Sequence, residues 1–355
     1  MQLQCPMPKL DFDIITLGHG GGGLLTNKLL ETGVFSVLKN DLLNEKHDGA
    51  IFTMNGKMAF STDSYVISPA FFPGGNIGEL AVNGTVNDLA MCGATPQYLS
   101  LAFIIEEGLT MKEFWEILVS IKFAADKAGV QIVTGDTKVV ERGKGDKIFI
   151  NTSGVGMLHP KANIAMSRVK KGDKIVISGN IATHGIAIMS VREGLEFETT
   201  IESDTCNLNH TIIKLLDEFG DKIHLLRDPT RGGVATVLNE IARDTKLGID
   251  IFQKYIPVVE EVYGACELLG FDPLYVANEG IFIAIVEADI ADDFVKILRN
   301  EIPNQSGLGG CEFGENAAIM GEVVEAHPRQ VILTSKIGGK RVVNMLVGEQ
   351  LPRIC

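Results

Sequence analysis

Strand-like runs alternate with helix-like runs along most of this chain, and that alternation restricts the fold more than any other feature. A buried strand reads as a short apolar run, and an amphipathic helix as apolar residues three or four apart. Alternation of the two predicts sheets covered by helices. In the first half, 13–17 is a short apolar run, and 50–60, 65–67, 130–134 and 147–157 read as β. Residues 83–91 and 111–128 have helical spacing, and Gly129 stands where a left-handed C-terminal residue is expected. The stretch HPKANIAMSRVKKGD has no apolar period, contains Pro160 and ends in the turn pair Gly172-Asp173, so it reads as a linker or a domain-entry loop. Beyond it, 174–178 and 281–286 are strand-like, and 185–193, 208–219, 235–244 and 291–299 helical. The expected fold class is α/β (α+β) in two domains, 1–158 and 159–335. A strand-like segment and mobile tail follow over 336–355.

Composition narrows the function. The 45% apolar and 22% charged content is ordinary for a globular chain. A formal charge of −13 argues against a sequence-independent nucleic-acid binder, which needs a basic footprint. No apolar run approaches the roughly 18 residues of a membrane helix. The opening MQLQCPMPKLDFD lacks a leader's basic-then-apolar pattern. The six cysteines form no CxxC pair and no zinc spacing, so a reducing, cytoplasmic location is expected.

Glycine is in excess, 39 of 355 residues, and part of it is concentrated at GHGGGG (18–23). Gly18, Gly20 and Gly23 satisfy G-x-G-x-x-G, whose backbone N–H groups can cradle phosphate at a helix start. A dinucleotide site would require a second strand and an acidic residue further on, and Asp41 has no apolar strand before it. A flexible turn and a phosphate-covering loop of another fold remain as readings, with Gly20, Gly21 and Gly22 as the contacts. Four aspartates share similar surroundings: Asp63 in AFSTDSY, Asp88 in GTVNDLAMCGA, Asp136 in IVTGDTKVV and Asp228 in LLRDPTRGG. Carboxylates among small residues suit a hard cation such as Mg²⁺, which keeps waters and substrate phosphates in its shell. Each can also be a turn or cap aspartate. Asn87 and Gly135 flank two of them. Arg231, Lys138 and Glu279 (in ANEG) are phosphate or acid–base candidates by residue type, and ion-paired surface groups on the bland reading.

The chain ends LPRIC. Gly348, Gln350 and Pro352 disfavour regular structure, which places Cys355 on an extended arm. Lys336, Lys340, Arg341 and Arg353 against Glu349 give that segment +3 and leave −16 on the rest. A basic arm on an acidic body is drawn towards an acidic cleft. A thiol at its tip suits a substrate carrier as well as a nucleophile.

These blocks are similar to a known family. FSTDSYVISPAFFPGGNIGELAVNGTVNDLAMCGATP, VTGDTKVVERG, RDPTRGGVATVLNEIA, ANEG and the terminal LPRIC resemble the HypE family, the expression/formation proteins of nickel–iron hydrogenase maturation. The aspartate blocks alone resemble a wider ATP-using superfamily that includes aminoimidazole ribonucleotide synthetase, selenophosphate synthetase and thiamine-monophosphate kinase. The terminal PRIC is the part particular to HypE.

The resemblance implies a two-domain aminoimidazole ribonucleotide synthetase-like fold and a homodimer joined through its N-terminal domains. It implies ATP and Mg²⁺ under the glycine loop. Contacts would come from Gly20, Gly21, Gly22, Asp63, Asn87, Asp88, Gly135, Asp136, Lys138, Asp228 and Arg231, with Asp63, Asp88, Asp136 and Asp228 at the metal. It implies that Cys355 takes a carbamoyl group from the carbamoyltransferase HypF, that the thiocarbamate is dehydrated to a thiocyanate, and that the cyano group passes to iron on a HypC–HypD complex. Cys355, Lys138, Glu279 and Asp88 are the catalytic candidates, with Glu279 as base. A small-molecule kinase or a non-catalytic thiol carrier are the alternatives. One departure is visible: HGGGG stands where many relatives are expected to have HGSGG, so Gly21 brings no hydroxyl.

Overall fold

The computed structural model describes residues 12–45, 49–194, 201–300, 314–346 and 353–354. Its first half contains α1 (Leu24–Leu29), α2 (Phe35–Val37), α3 (Asp41–Asn44), β1 (Met58–Tyr65), the short strands β2 (Phe71–Phe72) and β3 (Gly75–Asn76), α4 (Ile77–Met91), β4 (Ala94–Glu106), α5 (Met111–Ala128), β5 (Gln131–Val140) and β6 (Ile148–Leu158). The second contains β7 (Lys174–Ile177), α6 (Thr183–Glu193), α7 (Asn209–Phe219), β8 (Ile223–Arg227), α8 (Gly233–Thr245), β9 (Gly248–Phe252), α9 (Glu260–Leu269), β10 (Ile283–Val286), α10 (Ala291–Asn300), β11 (Ala318–Val324), β12 (Val331–Thr334) and β13 (Lys340–Val343).

The first sheet runs β1-β6-β4-β5, with β4 and β5 parallel and the other pairs antiparallel. Helices α4 and α5 cover one face. Thr110 and Glu113 form a reciprocal capping box at the start of α5, and Gly129, at φ 74°, ends it. α4 is buried all round because it is enclosed between this sheet and the second half, where it touches α7 and β8. The other face of the sheet is open: Phe60 is 72% exposed and Ile104 47%.

The second sheet runs β13-β12-β9-β11-β7-β10-β8. Its strands alternate between two cores, as a sheet with helices on both faces requires. Ile175, Ile177, Ile283 and Ile285 pack with α8 on one side. Val176, Ala284 and Val286 pack with α7 and α10 on the other.

Two sequence expectations are revised, and one strand had no sequence reading. The strand read over 50–60 begins only at Met58, because the Asn55-Gly56 turn, with Gly56 at φ 113°, interrupts the run. The longest strand, β4, follows α4 after only Cys92-Gly93, a junction without a Pro or polar-turn signal. The arm is anchored at its end: Ile354 is 2% exposed and belongs to the first core, and Arg353 donates from Nε and Nη2 to the Val66 carbonyl at 3.1 and 3.0 Å. Arg353 also pairs with Asp146. An apolar residue and a guanidinium have sites built for them, so an arm expected to be mobile is docked at 353–354.

Candidate active site

The glycine loop lies over the β5 edge of the first sheet. Gly20 is obligatory there, since a Cβ would stand 2.5 Å from the Val139 nitrogen. Gly22 has φ 77° and donates its N–H to Thr26 Oγ1 at 3.0 Å. Gly21 meets nothing nearer than 3.9 Å. His19 is buried beneath the loop, with Nδ1 accepting from the Thr16 N–H at 3.0 Å. Between loop and strand lies a cleft of about 210 Å³, apolar at its base and lined at its mouth by Gly20, Gly22, Gly135, Asp136 and Lys138. A Cβ on Gly135 would stand 2.1 Å from the Leu101 carbonyl oxygen, so β5 approaches β4 closely at this point. Lys138 Nζ holds both Asp136 carboxylate oxygens at 2.6 and 2.7 Å, which lowers the Asp136 pKa.

A second cluster occupies the opposite edge. Asp63 lies on β1, Asp88 on α4 and Asp228 in the turn after β8. Ser61 Oγ donates to Asp88 Oδ2 at 2.6 Å, and the Ser64 N–H to Asp63 Oδ1 at 2.7 Å. Burial first, then neighbouring carboxylates, push Asp88 and Asp228 upward. Asp88 is raised, and Asp228 rises to about 7 with the Asp88 charge as second cause. Arg227 and Arg231 oppose the rise at Asp88. Arg231 is exposed, while Arg227 pairs with Glu240 at 2.7 Å. Glu279 belongs to this cluster. The buried Tyr65 hydroxyl is raised by burial and then by the charges of Asp63 and Glu279.

The register measures the split between the two groups. Asp136 is opposite Ala102, Ala102 opposite Asn151, and Asn151 opposite Ser64, the neighbour of Asp63. Three strand spacings separate Asp63 from Asp136, about 14 Å. Within one chain, Asp63, Asp88, Asp228 and Glu279 therefore come together, and Asp136 and Lys138 do not join them. Among the described residues, no three His, Cys, Asp or Glu side chains converge tightly enough to hold a metal by themselves.

Asn87 has a different place from the one expected of a ligand contact. It is 1% exposed, and its Nδ2 donates to the carbonyls of Cys206 at 2.9 Å and Glu279 at 3.2 Å. Its Oδ1 accepts from the Leu208 N–H at 2.8 Å. It braces the site from behind. Asn278 is a second brace, donating to the Pro229 carbonyl at 2.7 Å and accepting from the Ala182 N–H at 2.6 Å.

Sequence reading missed Asn278, Asp204, His184 and Ser203. Asp204 accepts from the N–H groups of Glu279 and Gly280, and burial lifts its pKa to about 6. No local motif marks it. Cys355 and residues 1–11 lie outside the described residues. Of the described thiols, Cys206 and Cys266 are buried, and burial drives Cys266 up to about 12. A separate cleft of about 300 Å³ near Tyr263 and Asp272 is lined by Lys336 and Arg341 of the C-terminal segment and by none of the catalytic, nucleotide or metal candidates.

The two-sheet architecture, with aspartates in its N-terminal domain, is that of the AIR synthase related proteins. The N-terminal domain model of that group matches 46–158 and the C-terminal model 170–333. Carbamoyl dehydratase HypE of Azotobacter vinelandii is 46% identical over 342 residues, covering 96% of this chain and 97% of its own. A crystal structure of hydrogenase maturation protein HypE in complex with ATP matches at TM-score 0.89 and 44% identity, over 96% of this chain and 99% of that one. A HypE–HypF complex matches at TM-score 0.77 and 43% identity, over 91% of this chain and all of that one. The chain belongs to the HypE family of carbamoyl dehydratases.

Proposed function

We propose that this enzyme dehydrates a carbamoyl group carried on its own Cys355 in an ATP-dependent reaction, giving the thiocyanate from which the cyanide ligand of nickel–iron hydrogenase is made. The observation that carries this reading is the docking of Ile354, the residue joined to Cys355, against the N-terminal core. Its neighbour Arg353 is held by Val66, just beyond the strand that bears Asp63. The relative solved with ATP supports the choice of nucleotide.

A carboxamide oxygen is a poor leaving group. Once it takes the γ-phosphoryl group and the nitrogen gives up a proton, an iminophosphate stands on the sulfur. Loss of the second nitrogen proton and of phosphate leaves S–C≡N. Catalysis of such a transfer rests on charge placement more than covalent help. The glycine loop 20–22, with Lys138, is assigned to the phosphates. Its Gly20 and Gly22 N–H groups bond the Leu17 carbonyl and Thr26 Oγ1 and hold the loop's shape, which leaves the direct contact to the Gly21 N–H. Glu279 is assigned to the proton on nitrogen. Arg231 is assigned to phosphate from the second cluster. The all-oxygen donors Asp63, Asp88, Asp228 and Asp136 fit Mg²⁺, whose shell is completed by waters and phosphates. Bound there, the ion would neutralise phosphate charge.

The split site supports a homodimer. The open sheet face with Phe60 and Ile104 exposed is the surface proposed to close it, letting the Asp136 edge of one copy meet the Asp63 edge of the other. Phe60→Glu should give a monomer by light scattering. The solved HypE–HypF pair supports HypF as carbamoyl donor, and HypC–HypD is the proposed acceptor. No helix among the described residues is long and apolar enough to cross a membrane, and a cytoplasmic setting is proposed from the hydrogenase-maturation relatives. Two variants test the reading by intact mass: Cys355→Ala should take no carbamoyl group, and Asp88→Asn should take it and keep its water. An Asp88→Asn enzyme that dehydrates at the wild-type rate would sink the assignment.

A further inference from the structure

The segment Ser203–Cys206 reaches the docked tail through His184 and bonds the backbone of the candidate base directly. His184, at the start of α6 and 0% exposed, bonds the Ile354 carbonyl through Nε2 at 2.8 Å and Ser203 Oγ through Nδ1 at 2.7 Å. A carbonyl can only accept, so Nε2 carries the proton and Nδ1 accepts from the serine hydroxyl. Burial lowers the ring's pKa to about 4, which keeps it neutral in this tautomer. Phe72 packs edge-on against the ring, 5.7 Å between centroids, and limits its rotation.

The residue after Ser203 is Asp204, whose carboxylate receives the N–H groups of Glu279 at 3.2 Å and Gly280 at 3.1 Å. A Cβ on Gly280 would stand 1.6 Å from the Asp204 carbonyl oxygen, so this contact is tight. Cys206 closes the strap, its carbonyl accepting from Asn87 and its Sγ lying 3.5 Å from the Gly280 carbonyl. One short segment, buried at Thr205 and Cys206, thus bears through His184 on the last peptide before the carrier cysteine and sets the backbone of Glu279 at its other end.

We propose that His184 is a positioning residue for the dehydration step: through Ser203 and Asp204 it couples seating of the tail to placement of Glu279. The proposal deepens the reading above and rests on it. It predicts that tail seating and base placement fail together, whereas loading of the thiol by the carbamoyl donor, which needs the tail accessible, does not.

The test uses full-length protein, carbamoylated on Cys355 and then mixed with ATP and Mg²⁺, with dehydration followed by intact mass. His184→Ala should slow single-turnover water loss about tenfold or more, with carbamoylation kept within about twofold. His184→Gln, whose amide can donate to Ile354 and accept from Ser203, should recover much of the rate. Ser203→Ala, a smaller change, should slow water loss in the same direction and keep the melting temperature. Wild-type water loss in His184→Ala would overturn the proposal. Equal slowing of carbamoylation and dehydration, not recovered by His184→Gln, would overturn it too, because that is the pattern of a merely structural residue. Absence of water loss in the wild type would instead remove the underlying reading.

Discussion

Asn87 donates to the Glu279 carbonyl at 3.2 Å, so the helix that carries Asp88 also grips the segment that carries the candidate base. The backbones that carry the Asp88 and Glu279 carboxylates are tied together by this buried amide.

Asn87→Ala should therefore cost stability and chemistry together. It strands the Leu208 N–H and two carbonyls in a buried place, a loss of about 2–4 kcal/mol. Denaturant unfolding should show the lower midpoint. Nucleotide affinity under the glycine loop should change far less than dehydration rate, because that loop lies at the other edge of the sheet.

The raised carboxylates give a pH dependence. An acid lifted to about 7, as Asp228 is, holds more protons folded than unfolded between its ordinary value near 4 and 7. The cation-free protein therefore loses stability from this group as pH rises through that window, and the cost is full above it. A cation prefers the ionised cluster, so Mg²⁺ should raise the melting temperature more at pH 8 than at pH 6. Asp228→Asn removes the repulsion with Asp88 and should stabilise the cation-free protein while cutting dehydration about 100-fold. Equal Mg²⁺ effects at both pH values would contradict this.

The glycine loop separates two neighbours that look alike in sequence. Gly20→Ala drives a methyl to within 2.5 Å of the Val139 backbone, whereas Gly21→Ala finds its nearest atom at 3.9 Å. Titration calorimetry with ATP and Mg²⁺ should show at least about tenfold weaker binding for Gly20→Ala and near wild-type binding for Gly21→Ala. This agrees with a sequence in which Gly21 replaces an expected serine.

The periodic helices were legible because burial on one face imposes a period, as α5 shows between Thr110 and Gly129. The aspartates were legible as a set from their small neighbours and from the family resemblance. Their division into two edges was not, because it depends on strand order, which places β1 and β5 farthest apart. Asn87 read as a ligand contact by adjacency to Asp88, yet successive helix residues point about 100° apart and face different surroundings. His184 and Ile354 are 170 positions apart, and nothing local in either segment announces the other. The anchored end of the tail escaped for the same reason. Gly348, Gln350 and Pro352 lie outside the described residues, and an arm expected to be irregular can still be docked at its end.

The central claim is that the carbamoyl oxygen leaves as phosphate. Loading Cys355 with carbamoyl labelled with oxygen-18 at its carbonyl, adding ATP and Mg²⁺, and weighing the inorganic phosphate by mass spectrometry tests this directly. One labelled oxygen in each phosphate, with matching loss of one water from the protein, is the predicted result. Unlabelled phosphate, with the label retained on the protein or released as water, would contradict it.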